Sequence, residues 1–333
     1  MHRLPAVKSV TLLAAVAAML TLTEAGWVLG ETLEIDDSPL EVDQTLLVKL
    51  LLISACTGFL AAIMGLGGGV IIVPVLTSFL GFSIREAIAV SIIEVVATSV
   101  SGGLAYVKQR MANIRLTMFL QTSTTLGALT GALLALAAPK PFLYLMFSAF
   151  AFYVALFQVY SVKREVRMMR LSGFKKMPPD RASRFFRLSG AYFDEGEKLN
   201  VEYSVMRSFS GWLVSFLAGI EAGMLGIGGG FINVSTMNLF MNVPIKAAIA
   251  TSKLMITATA ATSAVVYYLT GAVRLNLVAP VVVGTTIGAS AGARVMNRLR
   301  VKWLKLALAT LIFYLGYTML RKGLTLTIGI NLP

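Results

Sequence analysis

The sequence predicts an all-α polytopic membrane protein. It reads as two inverted five-segment repeats, with broken or re-entrant helices after a GxGGG motif in each half, plus an N-terminal hydrophobic helix. Three observations predict this. The 333 residues are 57% hydrophobic and only 14% charged, with mean hydropathy +0.79, whereas soluble domains carry about 25% charged residues. Apolar stretches recur at the roughly 20-residue length that crosses a ~30 Å hydrocarbon core. And GLGGG at 65–69 returns as GIGGG at 226–230, each time before an apolar stretch too short to span comfortably.

The elements follow in chain order. Arg3 and Lys8 precede an apolar stretch at 9–29. It fits a signal peptide or a first helix, and the poor cleavage pattern near Glu24–Gly26 favours the retained helix. Residues 1–45 thus hold a hydrophobic segment and an acidic outer loop, with six acids and no base across 31–43. The first repeat occupies 46–162, with segments 46–64, 68–80, 84–107, 115–137 and 142–162. A basic loop fills 163–206. The second repeat occupies 207–322, with segments 208–225, 229–241, 245–269, 276–296 and 303–320, and 323–333 is a tail.

Charge orients these segments. Residues 163–187 hold nine Lys/Arg against Glu165 and Asp180. A second basic cluster, Arg294, Arg298, Arg300, Lys302 and Lys305, lies between the last two segments. Basic loops stay in the cytoplasm, so the loop 163–206 is expected there and the protein in the plasma membrane, with the lipid bilayer as its surroundings. Arg321 and Lys322 fall on the outer side and run against this rule. Bases confined to loops explain the net charge of +13 by topology, which removes nucleic acid as a partner.

The internal repeat carries the functional reading. At an offset of 161, GLGGGVIIVPV (65–75) meets GIGGGFINVST, IREAIAVS (84–91) meets IKAAIATS, and TTLGALTGA (124–132) meets TTIGASAGA. Five segments per half is an odd number, so the halves run in opposite senses. Interrupted helices at matching places in inverted repeats point to a transporter's binding site. Lipid cannot satisfy free backbone groups, so a break survives only when buried in protein or lining a cavity. The break exposes the first amides of the next half-helix, which carry the positive end of its dipole. A small anion is therefore the expected substrate, held by Gly67, Gly68 and Gly69 and by Gly228, Gly229 and Gly230. Gly127/Gly131 and Gly288/Gly292 have the GxxxG spacing of close helix packing instead.

Polar residues within the segments extend the site. Asn233 replaces Ile72 of the first repeat, and Ser235 replaces Pro74. Asn233, Ser91, Thr251 and Ser252 are candidate ligand contacts, with interhelical hydrogen bonding as the alternative. Intramembrane charges are costly and usually functional or paired, which singles out Glu94, Lys253 and Glu221 for coupling or gating. Glu94 and Lys253 lie on repeat-mate segments and could pair. A proton is the candidate coupling ion.

Other classes are weighed on the same residues. His2 is the sole histidine and Cys56 the sole cysteine, so no disulfide, metal site or cofactor is expected, and Cys56 reads as an inert packing residue. An enzyme would have to work from Glu94, Glu221 and Lys253, and no catalytic residue is expected. An anion channel would share the topology but lack saturable, gradient-driven flux. A structural membrane protein would need no breaks.

GLGGGVIIVPVL at 65–76, GIGGGFINV at 226–234 and IKAAIATSK at 245–253, with NIRL and TTLGALTGA in the first half, resemble the TauE/SafE family of membrane permeases. The likeness covers roughly 46–320. It implies export or import, with export expected, of sulfite or another sulfur oxyanion, an organosulfonate or a small carboxylate, driven by an ion gradient. Ser235 departs from the family, whose second motif commonly has proline there. The resemblance leaves the anion, the direction, the coupling ion and any homo-oligomer open.

Overall fold

The computed structural model describes residues 43–64, 68–108, 111–168, 178–194, 199–296 and 301–328. The expected N-terminal segment 9–29, the C-terminal residues and Gly67 lie outside the described residues.

The first half begins with α1 (Gln44–Met64), whose 21 residues reach about 32 Å at the helical rise. Gly68 then starts α2 (Gly69–Phe79), only 11 residues and about 16 Å long. α2 ends in a tight turn where Phe82 N donates to Leu76 O. Gly81 takes the left-handed position there, at φ 72°, which non-glycine residues adopt at a cost. α3 (Ile84–Lys108) starts from a reciprocal capping box: Glu86 Oε2 accepts from Ser83 N at 3.1 Å. Asn113 caps α4 (Ile114–Ala137), its Oδ1 accepting from Leu116 N. Pro139 then opens α5 (Lys140–Met168), its carbonyl accepting from Phe142 N.

A short α6 (Arg181–Phe185) and a two-stranded antiparallel hairpin, β1 (Gly190–Asp194) and β2 (Leu199–Tyr203), separate the halves. The hairpin adds two strands to a protein expected to be all-α, within the stretch 163–206 expected only as a basic loop. Its residues alternate, and the inward ones, Tyr192 and Tyr203, join Leu188 and Val205 over Leu116, Met237 and Met241.

The second half repeats the first in order. It comprises α7 (Ser208–Leu225), the 10-residue α8 (Gly230–Leu239), α9 (Ile245–Leu269), α10 (Leu275–Met296) and α11 (Val301–Ile328). The turn after α8 matches that after α2 residue for residue at the 161 offset. Val243 N donates to Met237 O, and Asn242 sits at φ 58° where the first half has Gly81. Asn tolerates this conformation better than most side chains.

Packing crosses between the halves: α1 lies on α10, α4 on α7, α3 on α9 and α5 on α11. Small residues make two of these seams. A Cβ at Gly127 or Gly131 would overlap the carbonyls of Phe216 and Ile220, and one at Gly219 or Gly223 those of Thr124 and Ala128. Across the other seam, a Cβ at Gly288 would overlap Ala55 O, and one at Gly58 would come within 2.6 Å of Thr285 O. The GxxxG pairs therefore pack helices, as their spacing predicts. Large apolar side chains cover the outer faces, among them Leu52, Leu126, Leu134, Leu156, Leu217 and Ile287. An outward apolar band of this kind fits lipid rather than water. Cys56 is exposed, which corrects its reading as a buried packing residue. Six helices among the described residues are long and apolar enough to cross a membrane.

Lys322 has a structural use. Its ammonium donates to Thr77 O near the C-terminal end of α2, where a cation complements the helix dipole. A charge that runs against the topology rule is thereby tied to a half-helix end.

Candidate functional site

The two glycine breaks meet in the interior. A Cβ at Gly69 would overlap Gly226 O and lie 2.8 Å from both Ile227 Cα and Ser91 Oγ. Only glycine lets the start of α2 approach the turn before α8 so closely. The second motif needs glycine for its backbone as well: Gly226, Gly228 and Gly229 have φ of 71°, 89° and 65°. Gly68 caps α2 at φ 88° and Gly229 caps α8, and neither helix receives a side-chain cap. The first amides of a helix have no intrahelical acceptor, so both starts present donors to the interior.

Serines at matching positions hold these turns. Ser91 Oγ donates to Gly226 O at 2.8 Å, so α3 of the first half fixes the break of the second. Ser252 Oγ donates to Gly230 O at 3.1 Å. Asn233, fully enclosed one turn into α8, has an Oδ1 with no hydrogen-bond partner. Beside Gly68, a Cβ would lie 3.1 Å from Glu94 Oε1. That oxygen accepts from Thr57 Oγ1 on α1 at 3.0 Å, and Thr285 on α10 borders the same carboxyl. Glu94 is completely enclosed, and its Oε2 has no hydrogen bond.

The structure thus gathers Gly68, Gly69, Ser91, Glu94, Gly228, Gly229, Gly230, Asn233 and Ser252 around the breaks. Three expectations take other forms. Thr251 Oγ1 accepts from Asn113 N at 3.1 Å, so it faces the start of α4. Glu221 is buried on α7, and neither of its oxygens has a hydrogen bond. Lys253 is buried next to Ser252 and forms no ion pair with Glu94. The offset explains this: Glu94 is the mate of Met255, and Lys253 that of Ile92, so the two charges do not occupy equivalent places.

Sequence reasoning missed Thr57 and Thr285, small polar residues in apolar helices whose role depends on tertiary placement. It also missed Asn113. Its side chain caps α4 and donates to Leu188 O at 2.7 Å and Tyr203 Oη at 3.0 Å. An Asn ahead of an apolar helical run is a legible capping signal. The same bonds tie the hairpin to the α3–α4 junction, and burial raises the Tyr203 phenol above its usual range.

Spanning-length helices and outward apolar faces define a multi-pass membrane protein. The chain belongs to the TauE/SafE sulfite exporter family, whose model matches residues 50–319. It is similar to the probable membrane transporter protein YunE of Bacillus subtilis (strain 168), at 23% identity across 83% of this chain and 98% of that protein. It also resembles the probable membrane transporter protein YdhB of the same organism, at 23% identity across 74% of this chain and 89% of that protein. No solved structure matches the chain.

Proposed function

We propose that this protein is a secondary transporter, an exporter by family resemblance, that carries a small anion by alternating access. Sulfite, or another sulfur oxyanion or organosulfonate, is the proposed substrate. The single observation that carries the reading is the contact of one uncapped half-helix start, at Gly69, with the Gly226–Ile227 turn that leads into the other, at Gly230. The exchange of partners between halves, α1 with α10 and α4 with α7, together with the repeated Leu76–Phe82 and Met237–Val243 turns, supports an inverted repeat. In transporters of that design the substrate sits between the repeats near the midplane. The protein acts without cofactor or catalysis on this reading, in the plasma membrane, with the basic loop in the cytoplasm.

Purified protein in liposomes tests it with radiolabelled sulfite. Saturable flux that responds to an imposed ion gradient supports a transporter. Non-saturating flux indicates a channel, turnover without translocation an enzyme, and flux of small carboxylates alone the alternative substrate.

A further inference from the structure

The two breaks are geometrically related but chemically unequal. At the first, Gly68 faces Glu94, with Thr57 and Thr285 beside the carboxyl. The 161-residue mates of Glu94 and Thr57 are Met255 and Ala218, so only Thr285 of this oxygen cluster has a polar counterpart, Thr124. At the second, Asn233 and Lys253 stand where the first half has Ile72 and Ile92. One half places an acid at its break, and the other places an amide one turn into the helix that follows its own.

An anion and an unpaired carboxylate repel each other strongly in a low-dielectric interior. The groups that face Glu94 from the elements packed on α3 are the Thr57 and Thr285 hydroxyls and the Gly68 backbone. The buried charges of those elements, Glu221 on α7 and Lys253 on α9, make no ion pair with it. Among the described residues Glu94 therefore has no counter-charge, and its Oε2 has no hydrogen bond. Lys253 likewise has no carboxylate within ion-pair distance among the described residues, and buried charges are retained when they meet a partner.

Resting on the transporter reading above, we infer a division of labour between the breaks: the substrate anion binds at the α8 start beside Asn233, while Glu94 at the α2 start binds the coupling proton. Bound together, the proton removes the carboxylate charge that would repel the anion. Glu94 is a coupling residue here, and Asn233 a substrate-binding residue.

Labelled sulfite in proteoliposomes separates the two roles. Exchange at equal pH on both sides reads anion binding, and accumulation driven by a pH gradient reads coupling. Wild type is expected to do both. Glu94→Gln keeps the shape of the carboxyl but cannot titrate, so exchange should lose its dependence on pH while gradient-driven accumulation falls about tenfold or more. Asn233→Leu, close in volume, should lose exchange itself, by about tenfold or more. Should Glu94→Gln fold poorly, Thr57→Val is read in its place, with the same expected split between the assays. Glu94→Gln that accumulates sulfite like wild type overturns the inference. So does wild-type accumulation that follows a sodium gradient and ignores pH. Wild type that exchanges no sulfite at all would instead refute the transporter reading beneath it.

Discussion

Replacing Gly69 with Ala probes the point where the two breaks touch. Its φ is not in the left-handed region, so the substitution adds no backbone strain and acts through space alone. The new Cβ would overlap the Gly226 carbonyl and lie 2.8 Å from Ile227 Cα, which must retreat about 0.6 Å to reach the 3.4 Å where ordinary contact begins. Those neighbours are backbone atoms of a turn already fixed by three left-handed glycines, so rotation of a side chain cannot relieve the overlap. Overpacking of this kind costs about 1–3 kcal/mol. Gly127→Ala makes a matched control, because its Cβ would overlap Phe216 O in the α4–α7 seam, away from the breaks. Thermal unfolding in detergent should show similar losses for the two variants. Sulfite flux per folded molecule should fall about tenfold or more for Gly69→Ala, while Gly127→Ala stays near wild type, since sub-ångström displacement at a binding site is costly. Equal flux in the two variants would refute the claim that this contact shapes the site.

Asn113→Ala removes the α4 cap and both side-chain bonds to the hairpin. Stability should fall by about 0.5–2 kcal/mol, and limited proteolysis should cut the hairpin faster than in wild type. Tyr203 gives a pH signature. Burial raises its phenol above the usual 10.0, so its contribution is complete below that value and is lost as pH rises through the higher folded value. Hairpin protection should thus drop at alkaline pH in wild type, and Tyr203→Phe should flatten that drop. Lys322→Met removes the cation at the end of α2 and should lower stability by about 0.3–1 kcal/mol. No change in melting temperature would discount the cap.

Much of the fold was legible because membrane helices advertise themselves by length and hydropathy. The two short segments, α2 and α8, were recognisable for the same reason, and their glycines marked the breaks. The GxxxG seams followed from spacing alone. The hairpin was missed because its alternating residues lie in a loop whose dominant signal is basic charge. At the site, Ser91 and Ser252 were found through the repeat, which aligned them. Thr57 and Thr285 were not, since their significance comes only from α1 and α10 meeting beside Glu94. Thr251 was misplaced towards the breaks because adjacency to Ser252 in sequence puts it about 100° round the helix. The repeat also hid an asymmetry: the two breaks look alike in glycine but differ in the charged residues around them.

The location of a bound anion tests the central claim most directly. A structure determined by electron cryomicroscopy in saturating sulfite should show density against the first amides of α8, between Gly229 and Asn233, facing the start of α2. Density confined to the basic loop or the outer surface, with the breaks unoccupied, would contradict the account.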